Sequence, residues 1–156
     1  MNDQPNFTSV LDKPADTLEA PKPIPVGTYL AIISGPETYS KVGANQTDMV
    51  SWPIKLIQPQ DDVDMTALND AMAQKDGTVR NLGDTKMKFD QFLTEASAFM
   101  VRDFLQNTLG IEPAGKTLRQ MISEALGKQM LVTIKHGLTK GDNPRVFAQI
   151  SGTAKV

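Results

Sequence analysis

Three observations in the sequence predict a mostly β fold with helices. Five stretches alternate apolar and polar residues with the period of a strand, two capped helical stretches fall between the third and fourth of these, and the last two strands meet across a turn-rich loop. At 156 residues the chain suits one domain, which at this length buries roughly two-thirds of its unfolded surface. The expected division is an extended proline-rich N-terminal arm, 1–25, followed by a single domain, 26–156, with a helical insert at about 58–83.

In the arm, Pro5, Pro14, Pro21, Pro23 and Pro25 interrupt every periodic pattern and push the residue before each toward extended geometry. Phe7, Val10 and Leu11 form a short apolar patch able to dock on a neighbour or on the domain, although the composition favours a disordered tail. The first strand is read at Val26 to Ser34, where Tyr29, Ala31 and Ile33 point one way and Leu30 and Ile32 the other. Gly35-Pro36 marks a bend, and Tyr39 to Asp48 reads as a polar loop. The second strand, Met49 to Ile57, carries Val50, Trp52, Ile54 and Leu56 on one face. Pro53, which lacks a ladder donor, predicts an edge position or a bulge.

Within the insert, Asp64 is placed to cap a short helix carrying Met65, Leu68 and Met72, with Gly77 as its stop. Lys86 to Phe89 is the third strand, extendable to Leu93. Val101, Phe104, Leu105, Thr108 and Leu109 then share a helical face that Gly110 ends. Thr117 and Gln120 form a capping-box pair ahead of the stripe Leu118, Met121, Ile122 and Ala125, closed by Gly127. The closing hairpin pairs Gln129 to His136 with Arg145 to Ser151 across Gly137 to Pro144. This order is that of a five-stranded Greek-key barrel of the oligonucleotide-binding type with helices between strands 3 and 4. An antiparallel sheet with helices on one face is the alternative.

Composition narrows the function classes. The formal charge of −2 excludes a polycation acting by field alone. From Gly115 onward, however, seven basic residues stand against two acidic ones, a formal +5, leaving the remainder at −7. No apolar run approaches the ~20 residues that span a bilayer. No signal-peptide order occurs at Met1 to Pro5, and cysteine is absent, so a cytoplasmic setting without a membrane is expected. The single histidine, His136, has neither the companions of a zinc site nor a serine elbow to serve. Phosphate-loop glycine patterns are missing, and Asp61, Asp62 and Asp64 lack the spacing of a calcium loop. A non-enzymatic protein with no cofactor and no metal is therefore expected.

Binding chemistry remains. A single-strand binder needs cations along the phosphates and flat side chains under the bases. The candidates are Tyr39 and Lys41 in the first loop, Lys55 on the second strand, and Lys135, Lys140, Arg145 and Phe147 on the hairpin. Trp52 falls on an apolar face and is expected in the core. Phe147 is either a stacking platform or the residue that seals the helices to the sheet.

The stretch Ile24-Pro25-Val26-Gly27-Thr28-Tyr29-Leu30-Ala31-Ile32-Ile33, the Val50 to Ile57 strand, Leu109-Gly110-Ile111, Gly127-Lys128-Gln129-Met130-Leu131-Val132 and the hairpin from Asn143 to Ile150 together resemble a bacteriophage family. Its members are single-stranded-DNA-binding-like proteins with an oligonucleotide-binding-type barrel. The resemblance covers Lys22 to Val156 and implies action in DNA replication or recombination in the host cytoplasm, with phage or host replication proteins as further partners. Two departures are an end without an acidic tail, Ser151 to Val156, and the long acidic-headed insert. A phage structural or assembly protein, joined into a homo-oligomer by its arm, is the alternative, and an inhibitor whose acidic insert mimics nucleic acid is a third reading.

Overall fold

The computed structural model describes residues 11–17, 22–74 and 77–156. Phe7 and Val10 of the arm's apolar patch lie outside them, while Leu11 is exposed. Six strands form one open antiparallel sheet: β1 Gly27–Ile33, β2 Thr38–Val42, β3 Thr47–Pro59, β4 Lys86–Phe92, β5 Gln129–Leu138 and β6 Val146–Ala154. Their order is β2-β3-β1-β5-β6, with β4 also paired to β3. Both β1 and β4 pair with Ile54 and Lys55, and both β2 and β4 pair with Met49 to Ser51. β4 therefore takes one edge of β3, and β1 and β2 share the other end to end. At the ends of the sheet, β4 and β6 share no ladder among the described residues, yet their Cα atoms come within 8 Å.

Strand β2 lies where the sequence suggests a polar loop, making six strands rather than five. Its residues are exposed or half-buried, so no apolar alternation announces it. A tight turn closes it onto β3, with Gly43 and Gln46 both at positive φ and the Gln46 amide donating to the Gly43 carbonyl at 3.2 Å. Pro53, for which an edge or a bulge was expected, sits instead on an interior strand. Its carbonyl accepts from the Ser34 amide at 3.0 Å, so its donor-free nitrogen faces the break between β1 and β2. The ladder is already interrupted there, and the missing N–H costs nothing.

Val50, Trp52, Ile54 and Leu56 of β3, together with Tyr29, Ala31, Ile33, Met130, Val132 and Ile134, form one buried cluster with the helices. Trp52 stacks on Phe89 at 6.2 Å and tilts against Phe104 at 5.4 Å, and Phe89 and Phe104 lie 4.9 Å apart. These three rings join β3, β4 and the helical layer. Helix α1, Met65–Met72, is capped by Asp64, which accepts from the amides of Thr66 and Ala67; it ends five residues before Gly77. Helix α2, Ala98–Asp103, runs into a π-helical turn, Phe104–Thr108, in which the adjacent Phe104 and Leu105 are both buried. Gly110 follows at φ 73, as its position predicts. Helix α3, Leu118–Ser123, has the expected capping box: the Gln120 amide donates to Thr117 Oγ1 and the Thr117 amide to Gln120 Oε1. Among the described residues no helix is long and apolar enough to cross a membrane.

The start of β1 is strapped down from both sides. Ile24 is 1% exposed, its carbonyl meets His136 Nε2 at 2.7 Å, and the Tyr29 phenol donates to the Pro25 carbonyl at 2.8 Å. Burial, and secondarily the charge of Asp62, push that phenol up to about 12. Asp62 in turn accepts from the Thr28 amide at 2.9 Å and the Thr28 hydroxyl at 2.8 Å, tying the insert to β1. Between them Gly27 takes φ +140, and a Cβ there would stand 2.7 Å from Val63 Cγ2.

Two measurements check this strap. Gly27→Ala is expected to cost about 1–3 kcal/mol through backbone strain and the Val63 clash, read as a lower urea midpoint at unchanged slope. The Thr28 hydrogen bonds hold the Asp62 carboxyl below its ordinary value of 3.8, so its contribution is complete above that value and fades as pH falls through the lower, folded one. The stability difference between the native protein and Asp62→Asn should stay constant from neutrality down to that region and shrink on further acidification.

Candidate nucleic-acid interface

Because alternate residues of a strand face opposite ways, burial of Val50, Trp52, Ile54 and Leu56 turns Met49, Ser51, Pro53 and Lys55 to the opposite side. The register sets Lys55 across from Lys86, Pro53 from Lys88, Ser51 from Asp90 and Met49 from Phe92. The outward face of β4 thus reads Lys86, Lys88, Asp90, Phe92, with successive residues about 7 Å apart. All four are exposed, Phe92 at 53%. Ser51 is buried and its hydroxyl donates to Asp90 Oδ1.

Lys55 and Lys86 are like charges in directly opposed cross-strand positions, an arrangement that disfavours the sheet. Neither they nor Lys88 forms an ion pair among the described residues, where the pairs are Lys22–Asp70, Lys41–Asp48, Arg102–Asp103 and Lys116–Glu124. An unneutralised row of this kind is suited to holding anions. Beside it a shallow depression of about 300 Å³ is bordered by Pro36, Thr38, Pro53 and Met87 together with Lys86 and Lys88.

The candidates read from sequence fall into three places. Lys55 joins the row. Tyr39 and Lys41 pair with Val50 and Asp48, which turns them to the buried-face side, at the end of the sheet. There the Lys41 ammonium is held by Asp48 at 2.6 Å, and the Arg119 guanidinium lies 5.8 Å from the Tyr39 ring centroid. Burial and then Glu37 raise the Tyr39 phenol's pKa, with Arg119 opposing them. These side chains line a separate depression of about 490 Å³ with Met49 and Leu93.

Lys135, Lys140, Arg145 and Phe147 stay on the hairpin. Phe147 is 40% exposed and faces away from the helices, its ring lying across Gly137, where a Cβ would stand 2.8 Å from Phe147 Cζ. Of the two roles open to Phe147, sealing the helices is therefore not the one the fold adopts. Lys135 lies opposite Gln149 on the same outward side. At the tip, the Thr139 amide donates to the Arg145 carbonyl at 2.9 Å and the Arg145 amide to Thr139 Oγ1 at 2.8 Å, leaving the exposed Lys140 and Arg145 side chains without an ion pair among the described residues. Strand β6, which starts at this tip, is the one that approaches β4. No hydrogen bond or ion pair among the described residues links Tyr39 or Lys41 to the hairpin cations.

Lys86, Lys88, Asp90 and Phe92 were not among the residues singled out from sequence. Their signal was present in the Lys86-x-Lys88-x-Asp90-x-Phe92 spacing, which on a strand collects every charge on one face. Among the described residues no three metal-ligating side chains gather at one point. Comparison with models of protein families and with curated proteins finds no match.

Proposed function

We propose that this protein binds single-stranded nucleic acid without catalysing a reaction, and that its open, curled sheet is a barrel of the oligonucleotide-binding kind. The observation that carries the reading is the unpaired row Lys55, Lys86 and Lys88 leading to the exposed ring of Phe92 on one face of β3 and β4. Cations spaced along an exposed strand match a phosphate backbone, and a flat ring at the end of the row offers a base its face. The hairpin that starts β6 carries Lys140 and Arg145, and the approach of β6 to β4 supports their joining the same path. Tyr39 and Arg119, as a stacked pair, extend the path around the end of the sheet. The resemblance to phage single-stranded-DNA-binding-like proteins favours DNA as the ligand, in phage replication or recombination.

Fluorescence anisotropy with a labelled deoxyoligonucleotide tests the reading. Five phosphate contacts, those of Lys55, Lys86, Lys88, Lys140 and Arg145, give a slope of log affinity against log salt of about −3.5. The double variant Lys86→Ala/Lys88→Ala should make the slope shallower by about 1.4 and weaken binding to every sequence. Phe92→Ala should cost about 1–3 kcal/mol of binding with the salt slope unchanged. Affinity independent of salt, or none at low salt, would overturn the proposal.

A further inference from the structure

Within the cation row one residue has the wrong sign. Asp90 lies on the exposed side of β4 between Lys88 and Phe92, opposite Ser51. A carboxylate in that position repels a phosphate, so a surface that only tracked the backbone would be weakened by it. Nor is it spent on a lysine, since no ion pair of Asp90 occurs among the described residues. Among the described residues its one hydrogen-bond partner is the buried Ser51 hydroxyl, which donates to Oδ1. That bond fixes the carboxylate at one oxygen and leaves Oδ2 as an acceptor directed by the other.

Resting on the single-strand reading above, we propose that Asp90 is a specificity-determining residue that reads the exocyclic amine of a base lying on Phe92. The two groups are successive outward residues of one strand, about 7 Å apart, so a base over the Phe92 ring brings its hydrogen-bonding edge toward Asp90. A fixed carboxylate accepts hydrogen bonds and has none to donate. Cytosine presents a 4-amino donor to it, the pairing by which Asp and Glu recognise cytosine elsewhere. Thymine presents a carbonyl oxygen at the same position, and two acceptors facing each other repel. The lysines supply affinity without sequence preference, and Asp90 supplies preference at the expense of some affinity.

Anisotropy titrations with oligodeoxycytidylate and oligodeoxythymidylate of equal length, at neutral pH and one low salt concentration, test this. The native protein should bind the cytosine oligomer about fivefold tighter or more. Asp90→Ala should abolish the difference, mainly by tightening binding to the thymine oligomer. Asp90→Asn keeps an acceptor for the Ser51 hydroxyl and hence the local fold, but with that oxygen held its amide nitrogen, a donor, faces the base, so the preference for cytosine should be lost or reversed. Equal binding of the two oligomers by the native protein, or a preference that survives in both variants, overturns the assignment of Asp90 and leaves the phosphate row standing. Failure of the native protein to bind either oligomer overturns the single-strand reading and this inference with it.

Discussion

Strand β3 is the member on which the rest of the structure depends. Its 13 residues are bonded on one edge by β1 and β2 in succession and on the other by β4, so three strands are registered against it. What fixes that register is the burial of Trp52 against Phe89 and Phe104. A one-residue slip would turn Val50, Trp52, Ile54 and Leu56 out to solvent and bring Lys55 into the core, a loss of several buried side chains at about 1.5–3 kcal/mol each. The π-helical turn after α2 serves the same contact, since it presents Phe104 and Leu105 together to the sheet.

The same constraint builds the proposed interface. Once the even-numbered side of β3 is buried, the odd-numbered side has to face outward, and β4 follows with Lys86, Lys88, Asp90 and Phe92. No separate device places these groups; they are the reverse of the core. The outward side accepts the unfavourable opposition of Lys55 and Lys86 because the inward side holds the register far more strongly. Function on this face can therefore vary in sequence without disturbing the fold, provided that Met87 and Phe89, which pack against the core, remain apolar.

Several features were readable from residue order alone. The capping box of Thr117 and Gln120, the Asp64 cap, Gly110 and the alternating arms of the hairpin are local, and each was met where its chemistry placed it. Trp52 was expected in the core and lies there, completely buried. Strand β2 was not readable, since an exposed strand held by its backbone ladder and a tight turn shows no side-chain period. Pro53 was misjudged for a related reason: whether a missing donor matters depends on what lies across from it, and a break in the neighbouring edge lies there. Of the binding candidates, Lys55 was brought into the row, whereas Lys41 was drawn to Asp48 and Tyr39 to Arg119 by partners far away in the chain or across a turn.

By itself the sequence determined the class of fold, most element positions, the helix caps and the identity of the core, because these follow from short-range periodicity and local hydrogen bonding. Tertiary structure alone decided which strands are neighbours outside the closing hairpin, that β4 lies beside the Lys55 side of β3, and which charges remain unpaired. Those are properties of register between segments separated by dozens of residues. A lysine three positions into a strand looks the same in sequence whether a carboxylate, another lysine or open solvent stands opposite, and only the pairing of β3 with β4 gathers Lys55, Lys86, Lys88, Asp90 and Phe92 on one exposed face.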